Sequence, residues 1–201
     1  MLFRSHPRDG EFQLTSGEMK TVQMLDSGIE KFLHANTESF EAIELPCGRS
    51  FMIAVLPQPG VKIQELEHIL GANPDMLDKA MHASYGSVTL PIFEIKTTMQ
   101  LAGALKGMGL DEIFQNLDGV FKMPQSKIND VGQTIDFAVD KHGIRANAET
   151  VIGTIPLGIL VDPHAFRISL NRPFLFFVRD FPTNALLFAG AVMDEIGRAH
   201  V

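Results

Sequence analysis

The stretch that decides the fold reads Ile168-Ser169-Leu170-Asn171-Arg172-Pro173-Phe174-Leu175-Phe176-Phe177-Val178. A second apolar run follows after a short segment with proline, threonine and asparagine, and it reads Ala185-Leu186-Leu187-Phe188-Ala189-Gly190-Ala191-Val192. Two apolar runs separated by turn-forming residues are typical of paired, buried strands. The pattern therefore predicts a β-hairpin near the end of the chain, preceded by a polar elbow.

The length, charge and apolar content of the chain exclude several classes of protein. The chain has 201 residues, 45% of them apolar, and a formal charge of −7, which allows one domain or a small pair with a substantial core. Because the charge is acidic and no basic cluster occurs, we expect no nucleic-acid partner. No apolar run approaches the ~20 residues that span a bilayer, so we expect no membrane partner either.

Candidate sites for metal or catalysis are lacking in the sequence. Cys47 is the single cysteine, which excludes an internal disulfide and a cysteine-based zinc site. The seven histidines do not have the spacing of metal ligands, and no serine lies in a nucleophile elbow. We therefore expect no metal, no cofactor and no enzymatic activity.

Apolar periodicity predicts many strands and few short helices. A turn at 46–49 predicts a hairpin between two of the strands. Because strands and helices do not alternate as βαβ units, the fold class predicted is α+β. The predicted strands are 21–25, 42–45, 50–56, 88–95 and 137–146, and the predicted helices are 61–70, about 74–82, 101–108 and a single turn at 111–114.

Five segments together resemble the serpin family of serine protease inhibitors. The stretch from Ile168 to Val178 is similar to the family's carboxyl-terminal signature, including Asn171, Arg172, Pro173 and Phe174. The other four segments, which match in the family's order and spacing, are Val22-Gln23-Met24, Glu44-Leu45-Pro46 with Phe51 to Pro57, Leu90-Pro91-Ile92-Phe93, and Leu101 to Phe114. The resemblance implies a serpin-like fold with a multi-sheet β core and short helices.

A complete serpin is about twice as long as this chain, and the segments resemble its second half. We therefore expect the N-terminal half of the fold to be missing. We expect residues 6–194 to be the C-terminal half of a serpin, with a non-native leader at 1–5 and a non-native tail at 195–201. The tail matches a translated sequencing adapter, and residues 1–5 fit the opposite adapter; an ordinary charged tail is the alternative.

The resemblance also implies a mechanism. An inhibitory serpin offers an exposed loop to a serine protease, or to a cysteine protease as the alternative, outside the cell. The cut loop then inserts into a β-sheet and drags the acylated protease with it. The loop corresponds to residues about 148–165, which contain Gly153, Pro156, Gly158 and Pro163, and long segments of this kind are often functional.

The hinge of this loop departs from the family pattern. Asn147 and Glu149 match, but Thr150 replaces a glycine. The family's run of alanines is replaced by Val151, Ile152 and Ile155. Pro156 lies within the inserting part, where a proline removes a ladder donor. A non-inhibitory serpin that acts as a carrier, chaperone or scaffold is therefore the alternative function. The hinge candidates are Asn147, Ala148, Glu149, Thr150, Val151, Ile152, Gly153 and Thr154.

Two further predictions rest on the resemblance. Counting from Asn147 places the bait bond near His164, and counting back from Pro173 places it near Asp162, although a following proline disfavours Asp162-Pro163. The bait candidates are Leu160, Val161, Asp162, Pro163 and His164. Asp140 stands where the family has a sheet-latching histidine, and His142 is the substitute if it shares a strand face with Asp140; an exposed edge histidine is the alternative.

Overall fold

The computed structural model describes residues 6–115, 128, 130–140, 143–146 and 165–194, which form two compact units, Met1–Ile95 with Phe137–Val201 and Lys96–Asp136. The strands are β1 (Arg8–Gln13), β2 (Met19–Asp26), β3 (Glu30–Asn36), β4 (Phe40–Cys47), β5 (Ser50–Pro57), β6 (His82–Pro91), β7 (Phe93–Gln100), β8 (Gly132–Asp140), β9 (Gly143–Ala146), β10 (Phe166–Ser169), β11 (Phe174–Asp180) and β12 (Leu186–Val192). The helices are α1 (Ile63–Ala72), α2 (Met76–Ala80), α3 (Ala102–Gly107) and α4 (Glu112–Gln115). The helices are short, and they do not alternate with the strands as βαβ units, which confirms the α+β prediction.

Nine of the described strands form one sheet in the first unit. Its order is β1-β2-β6-β3-β4-β5-β11-β12, and β10 pairs with β6 beside this path. β4 and β5 form the predicted hairpin, in register from Phe40 opposite Pro57 to Cys47 opposite Ser50. The turn carries Gly48 at φ +67°, a conformation that glycine adopts without steric cost.

The predicted C-terminal hairpin is confirmed. β11 and β12 pair antiparallel, with Phe174 opposite Val192 and Phe177 opposite Ala189. β11 also pairs with β5, so it lies inside the sheet, and all eight residues of β5 are buried. A strand that is covered on both sides reads as a continuous apolar run, which explains the sequence of β5.

Helices α1 and α2 cover one face of this sheet. Ile63, Leu66 and Leu70 of α1 are buried with Leu77 of α2 in one apolar cluster. The prediction of a second helix to residue 82 was wrong at its end, because α2 stops at Ala80. His82 instead begins β6 and pairs with His34 of β3, so strand pairing overrides the local helical pattern.

The prediction of a single strand over 88–95 was also wrong. The chain leaves the nine-stranded sheet at Pro91 and begins β7 at Phe93, in a second sheet with the order β7-β8-β9. The N–H of Ile92 donates a 2.8 Å hydrogen bond to the carbonyl of Gln23, which marks the crossing point. Alternation of apolar residues continues across this point, so the pattern did not reveal the change of sheet.

The region predicted as one strand over 137–146 consists of two strands. β8 ends at Asp140, and β9 begins at Gly143 and runs back antiparallel, with Phe137 opposite Ala146. β1, β3 and β10 were not predicted. In the second unit, Thr98 and Thr134 have their hydroxyl oxygens 3.2 Å apart, and α3 confirms the helix predicted over 101–108.

Candidate functional site

The polar elbow before β11 joins three strands that are distant in sequence. The N–H of Leu170 donates to the carbonyl of Thr89 at the end of β6 (2.8 Å), and the N–H of Gln13, the last residue of β1, donates to the carbonyl of Asn171 (2.8 Å). The Nη2 of Arg172 donates to the carbonyl of Pro57 at the end of β5 (2.8 Å). The signature residues therefore tie β1, β5 and β6 together.

The guanidinium of Arg172 is partly buried. Burial lowers the pKa of its guanidinium, and the negative charge of Glu41 opposes that effect. A guanidinium stays protonated under these conditions, so its hydrogen bond to Pro57 is charge-assisted. The arginine of the signature is therefore a fixed link between the elbow and the end of β5.

Phe174 is fully buried and begins an aromatic cluster in the first unit. Its ring centroid lies 6.0 Å from that of Phe93, and Phe137 and Phe176 stack in parallel at 5.6 Å. Phe188 of β12 approaches both Phe137 (5.5 Å) and Phe176 (6.2 Å) edge-on. These contacts join β7, β8, β11 and β12, so the signature phenylalanine anchors the last hairpin to its surroundings.

Gly190 allows one of these rings to lie across β12. Phe176 and Gly190 are register partners, and a Cβ at Gly190 would lie 2.7 Å from the Cζ of Phe176. Side chains do not approach that closely, so the ring and any larger residue at 190 exclude each other. The glycine in the second apolar run is therefore a packing requirement.

The two ends of the predicted reactive loop are strands in different sheets. On the amino side, β9 pairs antiparallel with β8 and ends at Ala146. On the carboxyl side, β10 pairs parallel with β6, from Phe166 opposite Gly86 to Ser169 opposite Thr89. Residues 147–165 connect these two strands, so the predicted reactive loop is held at both ends by backbone pairing.

The candidates within this segment lie outside the described residues. These are all the hinge candidates from Asn147 to Thr154, together with Pro156 and the bait candidates from Leu160 to His164. Their assignments stay predictions. His142 also lies outside the described residues, and β8 ends at Asp140, so the strand over which the two were to share a face is not continuous. The latch stays a prediction without that argument.

A cluster around Phe166 was not predicted from the sequence. The imidazole of His34 stacks on the Phe166 ring with centroids 3.8 Å apart and planes 2° apart. His34 Nε2 also lies 2.8 Å from Glu41 Oε1. The three residues come from β10, β3 and β4. Alternation of apolar and polar residues within β10 does not indicate which distant strand Phe166 pairs with. A weak signal was Gly86 within a strand-like run.

The described residues also bear on metal binding, thiol chemistry and membrane spanning. Across the described part of the chain, no group of three or more His, Cys, Asp or Glu side chains could hold a metal ion. Cys47 is a free, buried thiol, and burial raises its pKa to about 12. Its thiolate form is therefore scarce at neutral pH. No helix among the described residues is both long and apolar enough to span a membrane.

Comparison with curated proteins gives relatives over much of this chain. Iripin-5 from Ixodes ricinus is 31% identical over 163 residues, which are 78% of this chain and 41% of that protein. Alpha-1-antiproteinase S from Cavia porcellus is 28% identical over 197 residues, which are 94% of this chain and 47% of that protein. The chain thus spans less than half the length of these two relatives.

A solved structure and a family model lead to the same assignment. The structure of a serpin from the trematode Schistosoma haematobium superposes with a TM-score of 0.72 at 23% identity, over 94% of this chain and 51% of that chain. This likeness shows the fold. The family model described as "Serpin (serine protease inhibitor)" matches residues 3–195. The chain belongs to the serpin family.

Proposed function

We propose that this chain carries the reactive loop, and the strands that anchor it, of a serpin-type inhibitor of serine proteases that acts outside the cell. The chain corresponds to the C-terminal half of such an inhibitor. The observation that carries the proposal is the antiparallel pairing of β9 with β8, which ends at Ala146. The first hinge candidate, Asn147, follows directly, so insertion would extend a ladder that already exists.

The register of this ladder gives the pairs that insertion would form. Phe137 lies opposite Ala146 and Asp140 opposite Gly143, so each step along β9 moves one residue back along β8. Continued in register, Asn147 would lie opposite Asp136, and Val151 would lie opposite Gly132. Pro156 is five positions beyond Val151. The proline therefore leaves the first five pairs with all their donors, and the β-branched Val151 suits a strand.

The other end of the loop supports the same function. β10 and the elbow hold the chain from Phe166 to Arg172 through pairing with β6 and hydrogen bonds to β1 and β5. A cut between residues 160 and 164 would leave each new end attached to a different sheet. The amino-side piece could then move into its sheet while the carboxyl-side piece stays bound.

The chemistry of the cut comes from the protease. Its serine oxygen bonds to the carbonyl carbon of the bait residue, the peptide C–N bond breaks, and the new amino group takes the proton. The acyl-enzyme is then attached to the amino-side piece, and insertion of that piece moves the protease before water can hydrolyse the ester. The name of one relative, alpha-1-antiproteinase S, supports a protease as partner.

A gel experiment tests the proposal. The protein is expressed from its full coding region and incubated with trypsin-, chymotrypsin- and elastase-like proteases, with a papain-like cysteine protease in a parallel arm. We expect a complex with a serine protease that survives SDS and disappears when the protease serine is replaced by alanine. Cleavage between 160 and 164 without such a complex in any arm would contradict inhibition.

The alternative is a non-inhibitory serpin, which the bulky hinge favours. Val151, Ile152 and Ile155 fill positions where the family has small side chains. In this case the cut loop does not insert, and cleavage leaves Tm unchanged. Inhibition instead predicts a large rise in Tm after cleavage, because the inserted strand adds pairing and burial. Calorimetry before and after cleavage separates the two functions.

A further inference from the structure

We propose that Phe166, His34 and Gly86 form a clamp that determines how firmly β10 stays docked. The consequence for protease inhibition rests on the function proposed above, because β10 directly follows the bait region. The clamp itself is a property of the described residues. Through this clamp, His34 and Gly86 act as positioning residues. They hold β10, which follows the reactive loop, and neither is expected to pair with the loop itself.

The Phe166 ring is enclosed by β3. His34 stacks flat on it at 3.8 Å, and Phe32 meets it edge-on at 6.3 Å. Residues two apart on a strand point to the same face, so β3 presents both rings to β10. Stacked and edge-on aromatic pairs stabilise beyond the area that they bury.

Gly86 lets the ring lie against the backbone of β6. It is the register partner of Phe166, and a Cβ at this position would lie 2.4 Å from the ring carbons Cδ1 and Cγ. That distance excludes any side chain while the ring is in place. A glycine within a strand marks such a close approach.

Backbone pairing alone stabilises the docked position of β10 only weakly. The strand has four residues, and Arg167 and Ser169 are exposed. Ile168 is the other side chain directed inward, and it is buried. Phe166 thus supplies one of two inward side chains, at the end of β10 nearest the bait candidates.

His34 is itself held in place. Its ring is 5% exposed, its Nε2 lies 2.8 Å from Glu41 Oε1, and the His82 ring meets it edge-on at 6.2 Å. The same Glu41 acts electrostatically on Arg172 of the elbow. The clamp at the start of β10 and the elbow after its end therefore interact with the same carboxylate.

This arrangement limits fraying of the loop's C-terminal anchor. If Phe166 leaves its site, the segment between fixed ends grows from 147–165 toward 147–169. A longer segment holds the bait residues less firmly for a protease. We expect a loosened clamp to shift protease encounters from trapped complex toward simple cleavage.

Hydrogen exchange of the protein expressed from its full coding region, followed by mass spectrometry, tests the clamp without a protease. We expect Phe166→Leu to speed exchange of the amides at 166–169 about tenfold, the equivalent of about 1.4 kcal/mol. Phe166→Tyr keeps the ring and should restore slow exchange. Phe181→Leu is the matched control, because Phe181 also meets a ring, Phe51 at 6.4 Å, but is 70% exposed. Equal exchange in Phe166→Leu and Phe181→Leu would overturn the clamp.

A second pair of variants covers the case in which Phe166→Leu fails to fold. His34→Phe retains a planar ring and should keep β10 exchange close to that of the original chain, whereas His34→Leu should accelerate it. Gly86→Ala should accelerate it as well, by displacing the ring. If His34→Phe and His34→Leu exchange alike, the stack does not hold β10. Loss of the SDS-stable complex with normal exchange would instead contradict only the proposed function.

Discussion

At several positions in this chain, the groups packed against a residue restrict which side chain can stand there. Gly86 and Gly190 each face an aromatic ring of the neighbouring strand, and a Cβ would meet that ring at 2.4 and 2.7 Å. Arg172 spans from the elbow to the Pro57 carbonyl, and Glu44 lies partly buried near Arg179 and Asp78. Each position makes a separate prediction about stability.

Replacing Gly190 by alanine should destabilise the protein by about 1–3 kcal/mol, because the new methyl group and the Phe176 ring compete for one space. Urea unfolding of the protein expressed from its full coding region, followed by circular dichroism, measures the change. Gly71→Ala in α1 is the control, since nothing lies within 4 Å of a Cβ there. We expect that control to be neutral or stabilising by up to about 1 kcal/mol. Equal losses in both variants would refute the packing argument.

Removing the guanidinium at position 172 should cost about 1–3 kcal/mol. Arg172→Met retains an apolar stem but leaves the carbonyl of Pro57, in the buried strand β5, without its charge-assisted donor. Arg167→Met, on the exposed side of β10, should change unfolding by less than about 0.5 kcal/mol. The same urea titration compares the two. A loss confined to Arg167→Met would contradict the role of Arg172.

Glu44 gives a pH dependence with a definite sign. Burial raises its pKa above the ordinary value of 4.5, and this effect exceeds that of Arg179, which lowers it. The folded protein thus holds this proton to higher pH than the unfolded chain, so the contribution of Glu44 to stability falls as pH rises above about 4.5. We expect Glu44→Gln to be more stable than the original chain at pH 7, with the difference shrinking towards pH 4. A constant difference in Tm across this range would contradict it.

At the scale of elements, the strands next to the loop determine what it can do. β9 leads into the hinge candidates through antiparallel pairing with β8, and β10 receives the chain through parallel pairing with β6. Because the two partners belong to different sheets, the ends of the loop are held independently. Substitutions in the ladder should therefore affect insertion without loosening β10.

A proline placed earlier in the hinge tests this view. Thr150→Pro removes a donor from the five pairs that would extend β9, whereas Pro156→Ala adds one beyond them. With the full-length protein, the proposed function predicts that Thr150→Pro reduces the yield of SDS-stable complex at least tenfold while cleavage continues. Pro156→Ala should maintain or raise the yield. If Thr150→Pro traps protease normally, insertion does not use this register.

Local patterns predicted the elements that local chemistry determines. The β4–β5 hairpin, helix α1 and the β11–β12 hairpin follow from apolar periodicity and turn residues. The ends of α2 and β6, the reversal at Asp140 and the strand β10 depend on partners far away in sequence. The same limit applies to the site. The signature was visible as a motif, but the bonds from Arg172 to Pro57 and from His34 to Glu41 arise only when strands meet.

At the scale of the whole first unit, the sheet brings distant parts of the chain together. The hydroxyl and N–H of Thr15, in the turn after β1, both donate to the carboxylate of Asp194, just after β12. β1 and β12 are the two ends of the described strand order, so this contact connects the ends of one sheet. Along β12, Leu186 is 56% exposed and Leu187 is 43% exposed. Exposed apolar residues on an outer strand favour association with other chains.

We expect this 201-residue chain, expressed alone, to aggregate or to melt without cooperativity. Leu186→Lys should raise its soluble fraction severalfold, because a charged side chain on an outer strand opposes edge pairing. Leu33→Lys is the matched control, since Leu33 is 39% exposed but lies on β3, which is paired on both sides. Sedimentation after expression measures both. A soluble monomer with a sharp melt would contradict the expectation, and equal gains would contradict the role of β12.

The place of β11 in the sheet has a consequence for biosynthesis. This strand lies between β5 and β12, and it is translated long after β5. While the nascent chain is still on the ribosome, one edge of β5, which is apolar at every position except Ser50, has no neighbour. The sheet closes only when residues 174–192 emerge, so folding is completed after most of the polypeptide has been made. During that interval the unpaired edge of β5 is open to association with strands of other chains.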